Sequence, residues 1–449
     1  MTELNIINLF CGMGGDELGI RDAVYTDLRM KYKGLSINHW DVAVATMRAN
    51  FPNVKTLDCK IEEAVPGDLV PWGTVVHVLW ASPSCTHHSR AKGGRPRSNQ
   101  LRSQPEYVIT WASQVRPRVI IVENVPEFVE WGPLDAEGKP DKAHKGETFA
   151  AWVKMLESLG YNVEHRVLNC ADYGDATSRR RFFLIAVRRD VGVPVWPKPT
   201  HGDHVPGLPQ WRGAGECLDL SELGRSIFGR ERPLAEKTLA RLADGARKYW
   251  GLDITTGMLV KACSGKRMKP FIVKLNMGAT TEDIDALCQL VCDHQNHGKA
   301  EPLDRPLKTQ PTHDRSSLVT LVLGQHGAAA CRPATEPIPT VACKGAVRVI
   351  EPLVIDNANG GVIRGSREPL NTVTLKDQHM MALPVLEDGR RIDIFMRMLT
   401  PKELARAHSV PDDFVITGNK TEQTKQIGNS VPVRTARALV RTLLERYAK

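Results

Sequence analysis

The chain has 449 residues, 42% of them hydrophobic and 25% charged, a balance that excludes a disordered or fibrous protein and predicts more than one globular domain. Lys and Arg exceed Asp and Glu by 60 to 51, and the formal charge of +9 favours polyanionic partners without identifying one. Ten cysteines without a paired framework read as reduced thiols of a cytosolic protein rather than disulfides.

The first apolar run, Leu4 to Phe10, predicts a strand, with no basic region, apolar core and cleavage site to mark it for export. Phe10-Cys11-Gly12-Met13-Gly14-Gly15-Asp16-Glu17 then reads as a strand end, a glycine turn and a helix start. Glycines there let the backbone approach a ligand while helix amides face it. The spacing is not that of a Walker loop, and a plain tight turn is an equal alternative. Leu35 to Trp40 predicts a second strand end, with Asp41 capping a helix through Asn50. An acidic residue at such a strand end usually holds ribose hydroxyls, and Asn38 stands in that place. Asp58, near the next turn, is a candidate reader of a nucleobase or a simple turn residue.

Val75 to Trp80 predicts a buried strand too short to span a membrane, followed by the loop Ala81-Ser82-Pro83-Ser84-Cys85-Thr86-His87-His88-Ser89. A cysteine just past such a strand sits at a sheet rim, where ligands usually bind. Taken alone, an unpaired cysteine is more often a small buried hydrophobe. The basic segment Arg90, Lys92, Arg95 and Arg97 is either a closing loop that touches phosphates or a solvated charged loop. A helix is expected from Glu106 to Val115, and Val119 to Val122 predicts a buried strand that delivers Glu123. A carboxylate there is costly unless paired or functional. Beyond a helix around Phe149 to Leu159, Val163 to Leu168 and Phe182 to Val187 predict a hairpin, with Arg179 and Arg181 on one side by strand alternation.

At Val193 to Pro199 proline enrichment marks a domain boundary. The expected division is 1–195, 196–391 and 392–449, the last part returning to the first domain. The middle segment holds a repeat at Arg305, Glu336 and Glu368, each opening a Pro-containing five-residue block that ends in Thr. Cys288, Cys292, His294 and His297 fit no common zinc spacing and read as a helix face with a polar loop, so no metal is expected. Thr400 to Glu403 is a capping box, and a final amphipathic helix runs from Val433 to Arg446 after Gly428-Asn429-Ser430-Val431-Pro432.

In this order, the blocks resemble those of the DNA cytosine carbon-5 methyltransferases. Phe10-x-Gly12-x-Gly14-Gly15 resembles their cofactor loop, Pro83-Ser84-Cys85 their nucleophile loop, and Glu123-Asn124-Val125 their acidic motif. Arg179-x-Arg181 resembles their paired arginines, and Gly428 to Pro432 their closing motif. The resemblance covers about residues 4 to 190 and 395 to 445. Departures are Ser84 and Thr86 beside the cysteine, Asn38 at the ribose position, and Thr177 before the arginines.

The resemblance implies an α/β fold, with a Rossmann-like methyltransferase domain and a smaller, mostly β and irregular target-recognition domain. It implies S-adenosylmethionine as donor, bound by Phe10, Gly12, Gly14, Gly15, Asn38, Asp58, Asn429 and Ser430. Cys85, Glu123, Arg179 and Arg181 are the implied catalytic residues. The partner is double-stranded DNA, met by a monomer without a membrane in the cytoplasm of a bacterial or phage-infected cell. Contrasting readings are an RNA cytosine methyltransferase, transfer of a modified group from a related sulfonium donor, and an inactive DNA-binding regulator.

Overall fold

The computed structural model describes residues 3–83, 104–136, 140–219, 225–249, 254–264 and 391–448, and eight strands between 272 and 386. Two compact units emerge: Met1–Tyr173 with Arg180–Thr200 and His408–Lys449, and Gly174–Arg179 with His201–Ala407.

In the first unit, seven strands form one sheet: β1 (Glu3–Leu9), β2 (Lys31–Asn38), β3 (Val54–Asp58), β4 (Val78–Ala81), β5 (Val119–Asn124), β6 (Tyr161–Asn169) and β7 (Arg180–Arg188). Their spatial order is β3-β2-β1-β4-β5-β7-β6. The pairs from β3 to β5 are parallel, and β7 is antiparallel to both of its neighbours. The chain therefore moves outward from β1 to β3 and returns to β4 on the other side of β1. Such a reversal opens a crevice at the carboxyl ends of β1 and β4, where ligands of open α/β sheets bind.

Strand alternation sorts the layers. Ile7, Leu9, Leu35, Ile37, Leu79, Ala81, Ile120 and Val122 share one face, buried with Trp111 and Ala112 of helix α3 (Glu106–Val115) and Trp152 and Leu156 of helix α4 (Glu147–Ser158). Phe128 joins this layer with edge contacts to Phe149, Trp152 and Phe182. Helices α1 (Gly15–Arg21), α2 (Asp41–Asn50), α5 (Lys420–Asn429) and α6 (Val433–Tyr447) also belong to the unit. A methyl group at Gly19 would meet Ala436 Cβ at 2.6 Å, so α1 and α6 cross nearly backbone to backbone.

The expected helix at Glu106–Val115 forms over those residues, and the expected hairpin is the β6–β7 pair. Asp41 does not cap α2: Trp40 is the N-cap, and Asp41 opens the helix with Oδ1 accepting from Val42 N at 2.8 Å. The turn is set one residue earlier because Asn38 Oδ1 accepts from Trp40 N at 3.0 Å.

The second unit is built on a nine-stranded sheet. Its centre is Ser317–Gly324, antiparallel to both Val347–Ile355 and Arg391–Met398. Cys292 and His294 lie on a strand, Leu290–His294, rather than on the expected helix face, while Cys288 and His297 lie outside the described residues. Of the repeat, only Leu307–Lys308 is described, as a short strand paired with Thr177–Ser178. The capping box forms as expected: Glu403 N donates to Thr400 Oγ1 at 3.3 Å and Thr400 N to Glu403 Oε2 at 2.7 Å. The same carboxylate takes both terminal nitrogens of Arg397, at 2.8 and 2.7 Å, which ties the strand Arg391–Met398 to the helix Pro401–Ala407.

Candidate active site

The carboxyl rim of the first unit's sheet gathers the candidate residues strand by strand. Leu9 and Ala81 are register partners at the ends of β1 and β4, and Ser82 N donates to Leu9 O at 3.1 Å. The glycine loop and the nucleophile loop therefore leave the sheet side by side. Asn38 and Asp58 are register partners one and two strands further out. Glu123 rises on the opposite side, one residue beyond the Ala81–Val122 pair. At about 4.8 Å per strand, the glycine loop and Glu123 stand roughly two strand spacings apart.

Phe10 opens the glycine loop in the left-handed region, at φ 61°, a conformation that L residues other than Asn and Asp rarely adopt. The loop closes on itself through Gly14 N donating to Cys11 O at 2.9 Å and is anchored to β2 through Cys11 N donating to Ile37 O at 3.3 Å. Gly12, at φ 53°, has none of the described residues within 4 Å of where a side chain would project. Gly15 has no such room: a Cβ there would lie 2.0 Å from Ser430 Oγ and 2.4 Å from Val431 O. The closing motif is thus seated directly on the start of α1. Ser430 is buried and Asn429, the last residue of α5, is exposed. Asn38 is half-buried, Asp58 exposed, and Asn38 Nδ2 reaches Gly12 O at 3.5 Å.

On the other side, Arg181 Nε lies 3.1 Å from Glu123 Oε1, both side chains being more than nine-tenths buried. By alternation, Glu123 and Arg181 share a sheet face with Trp80 and Phe183, whose rings meet edge to face. A lone carboxylate in this layer would be strongly penalised, and the guanidinium offsets that penalty. Arg179 belongs to the second unit's residues and is 2% exposed, with Arg180 exposed between the two buried arginines. Cys85 and the basic segment Arg90, Lys92, Arg95 and Arg97 lie outside the described residues.

Asn124 makes a contact within the candidate site that sequence reasoning did not single out. Its Nδ2 donates to Pro83 O at 3.2 Å and its Oδ1 accepts from Val125 N at 2.9 Å. The acidic strand end thereby holds the root of the nucleophile loop, two residues before Cys85. Adjacency of Asn124 to Glu123 was the available signal, but the partner lies 41 residues away.

Residues 4–216 and 360–445 match the family model described as C-5 cytosine-specific DNA methylase. Among curated relatives, the chain is 24% identical to the type II methyltransferase M.SacI of Streptomyces achromogenes over 99% of its own length and 93% of the relative's. It is 29% identical to M1.HphI of Haemophilus parahaemolyticus over 64% of this chain and 77% of that one. A solved structure described as a DNA modification methyltransferase encoded within an E. coli prophage superposes with a TM-score of 0.50 at 15% identity, covering 99% of this chain and 100% of that one, a likeness of fold. With two segments of one family model matched across more than half of its length, the chain belongs to the C-5 cytosine-specific DNA methylase family.

Proposed function

We propose that the protein methylates carbon 5 of a cytosine flipped out of duplex DNA, with Cys85 as the covalent nucleophile and S-adenosylmethionine as the donor. The observation that carries this reading is the buried Glu123–Arg181 pair, with the next residue on the Glu123 strand, Asn124, holding the Pro83 carbonyl. It assembles an acid, a cation and the root of the cysteine loop at the end of one sheet.

Cytosine carbon 5 is a weak nucleophile. Addition of the Cys85 thiolate to carbon 6 breaks the 5,6 double bond and makes carbon 5 enamine-like. Negative charge then develops on the ring, and Glu123 is the group to hold a proton at ring nitrogen 3 and to accept from the exocyclic amine. Arg181 fixes Glu123, while Arg179 and Arg181 steady the base and its phosphate. Removal of the carbon-5 proton, by a base that water can supply, restores the double bond and releases the Cys85 thiolate. Carbon 6 is out of reach in a stacked duplex, so flipping is required. The basic segment from Arg90 to Arg97 is the candidate for closing over the extruded base, and the second unit for reading the target sequence.

The glycine loop fits a nucleoside-bearing sulfonium. None of the described residues lies within 4 Å of where a Gly12 side chain would project, and Asn38 and Asp58 stand on adjacent strand ends, where a ribose and a base are held in this fold class. Phe10, Gly14, Gly15, Asn429 and Ser430 complete the proposed cradle. Bound there, S-adenosylmethionine would supply the electrophilic methyl group that carbon 5 takes.

The test is to incubate the protein with duplex DNA and S-adenosylmethionine, digest the DNA to nucleosides and analyse them by mass spectrometry. A 5-methylated deoxycytidine that is absent with Cys85→Ala is expected. Methyl transfer that survives in the variant would refute the covalent route, and product on RNA alone would refute the substrate.

A further inference from the structure

On the α1 side of the sheet, directly behind the glycine loop, polar side chains interrupt an otherwise apolar layer. Glu17, 1% exposed, accepts from Tyr32 Oη at 2.7 Å through Oε1, and from Asn8 Nδ2 at 3.1 Å and Ser36 Oγ at 3.2 Å through Oε2. One carboxylate thus ties α1 to β1 and to two positions on β2. Asp16, 3% exposed, accepts from Glu17 N at 3.0 Å and shares the Asn8 amide. No cation acts on either carboxylate among the described residues.

Two adjacent anions without a cation, out of water, would cost several kcal/mol each, so the pair keeps a proton. Three side-chain donors favour Glu17 as the anion, which leaves the proton on Asp16. Burial first, and the Glu17 charge second, push the Asp16 carboxyl up to about 8. The other titratable groups facing the pair are Cys11 in the loop, whose thiol is raised by burial and then by both carboxylates, and Tyr32 on β2. Arg21 and Tyr25 act on Tyr32 from the far end.

An apolar side chain at position 17 would fill the layer without these demands, and apolar replacements of buried charges are often neutral or stabilising. What the network adds is direction. Glu17 is the third residue of α1, immediately after Gly14 and Gly15, so fixing its carboxylate to two strands fixes how the helix start and the glycine loop sit on the sheet.

We propose that Glu17 is the positioning residue of the donor loop, its carboxylate holding α1 and therefore Gly12 to Gly15 in the form that receives the donor. This rests on S-adenosylmethionine as the donor. It predicts a division of effects: Glu17 governs donor affinity, while Glu123 and Cys85 govern the chemistry.

The test measures S-adenosylmethionine binding by calorimetry, and kcat at saturating donor, for the full chain and for Glu17→Gln, Tyr32→Phe and Asp16→Asn. Glu17→Gln removes the charge and one of the two acceptor oxygens that Tyr32, Asn8 and Ser36 share, and should weaken the donor Kd about tenfold or more, with kcat within about threefold. Tyr32→Phe, the milder change, should weaken it in the same direction. The wild-type Kd should rise as pH passes 8, and Asp16→Asn should remove that dependence. Unchanged Kd in both Glu17→Gln and Tyr32→Phe, or the same pH profile in Asp16→Asn as in wild type, would overturn the proposal. Failure of the wild type to bind donor at any pH would overturn the donor reading itself and this proposal with it.

Discussion

Among single residues, Arg181 and Glu123 form a buried ion pair in which each makes the other tolerable, and the proposed chemistry rests on it. Removing the cation from a buried pair leaves an uncompensated carboxylate, at a cost of roughly 3–5 kcal/mol. Arg181→Ala is therefore expected to lower stability by about that amount and kcat on the order of a hundredfold. Arg181→Lys, which keeps the charge but not the planar fork, should fall between. Denaturant titration and steady-state rates check both, and an Arg181→Ala protein as active as wild type would remove the pair from the mechanism. Asp16 predicts a different dependence. Its carboxyl ordinarily ionises near 3.8 and in the folded protein near 8, so across that window the folded chain keeps a proton that the unfolded chain has lost. Stability contributed at this site therefore falls as pH rises from about 4 to about 8 and levels off above. Asp16→Asn should remove this slope, its advantage over wild type growing to a few kcal/mol at most on the order-of-magnitude scale of such shifts. Urea unfolding at intervals across the window decides it: parallel curves for the two proteins would mean that Asp16 is already ionised.

Elements carry the next level. The glycine loop, the start of the loop that leads to Cys85 and the acidic strand end leave one sheet rim because β1, β4 and β5 are neighbours in a parallel sheet. This follows from a topology that reverses at β1. Gly15 records how closely the closing motif is seated. Its absent side chain makes room for Ser430 Oγ and for the carbonyl of Val431, which cannot move aside as a flexible side chain would. Gly15→Ala should displace α5 and α6 from α1 and lower the melting temperature markedly. Gly12→Ala meets only the strain of a positive φ, about 1 kcal/mol. Equal melting temperatures for the two variants would contradict that seating. Much at this scale was legible from local pattern. Apolar runs of strand length located β1 and β5, and α3 formed over its expected residues, but β4 starts only at Val78 and runs to Ala81 rather than from Val75 to Trp80, with Val75 exposed. Contacts between distant positions were not legible. The Asn124 to Pro83 bond and the Glu17 ties to Tyr32 and Ser36 depend on which strands become neighbours. Asp41 was misread as a cap for a local reason: the Asn38 side chain, two residues before Trp40, had already shaped the turn.

At the scale of the whole molecule, the work is divided between two units. One is a mixed α/β sheet whose rim carries the loops proposed to hold donor and base. The other, among its described strands, is largely antiparallel β, and is the unit proposed to read the target. The excess of positive charge favours DNA in general, leaving selection of a target to specific side chains. The proposed reaction turns on Cys85 becoming covalently joined to the target cytosine. The most direct measurement uses duplex DNA with 5-fluorocytosine at the methylated position. Fluorine cannot leave as a proton does, so the adduct formed after methyl transfer persists. Intact-mass and peptide analysis should then find a donor-dependent protein–DNA conjugate at Cys85. A conjugate at another residue, or turnover on ordinary DNA with no conjugate on the fluorinated duplex, would contradict the account.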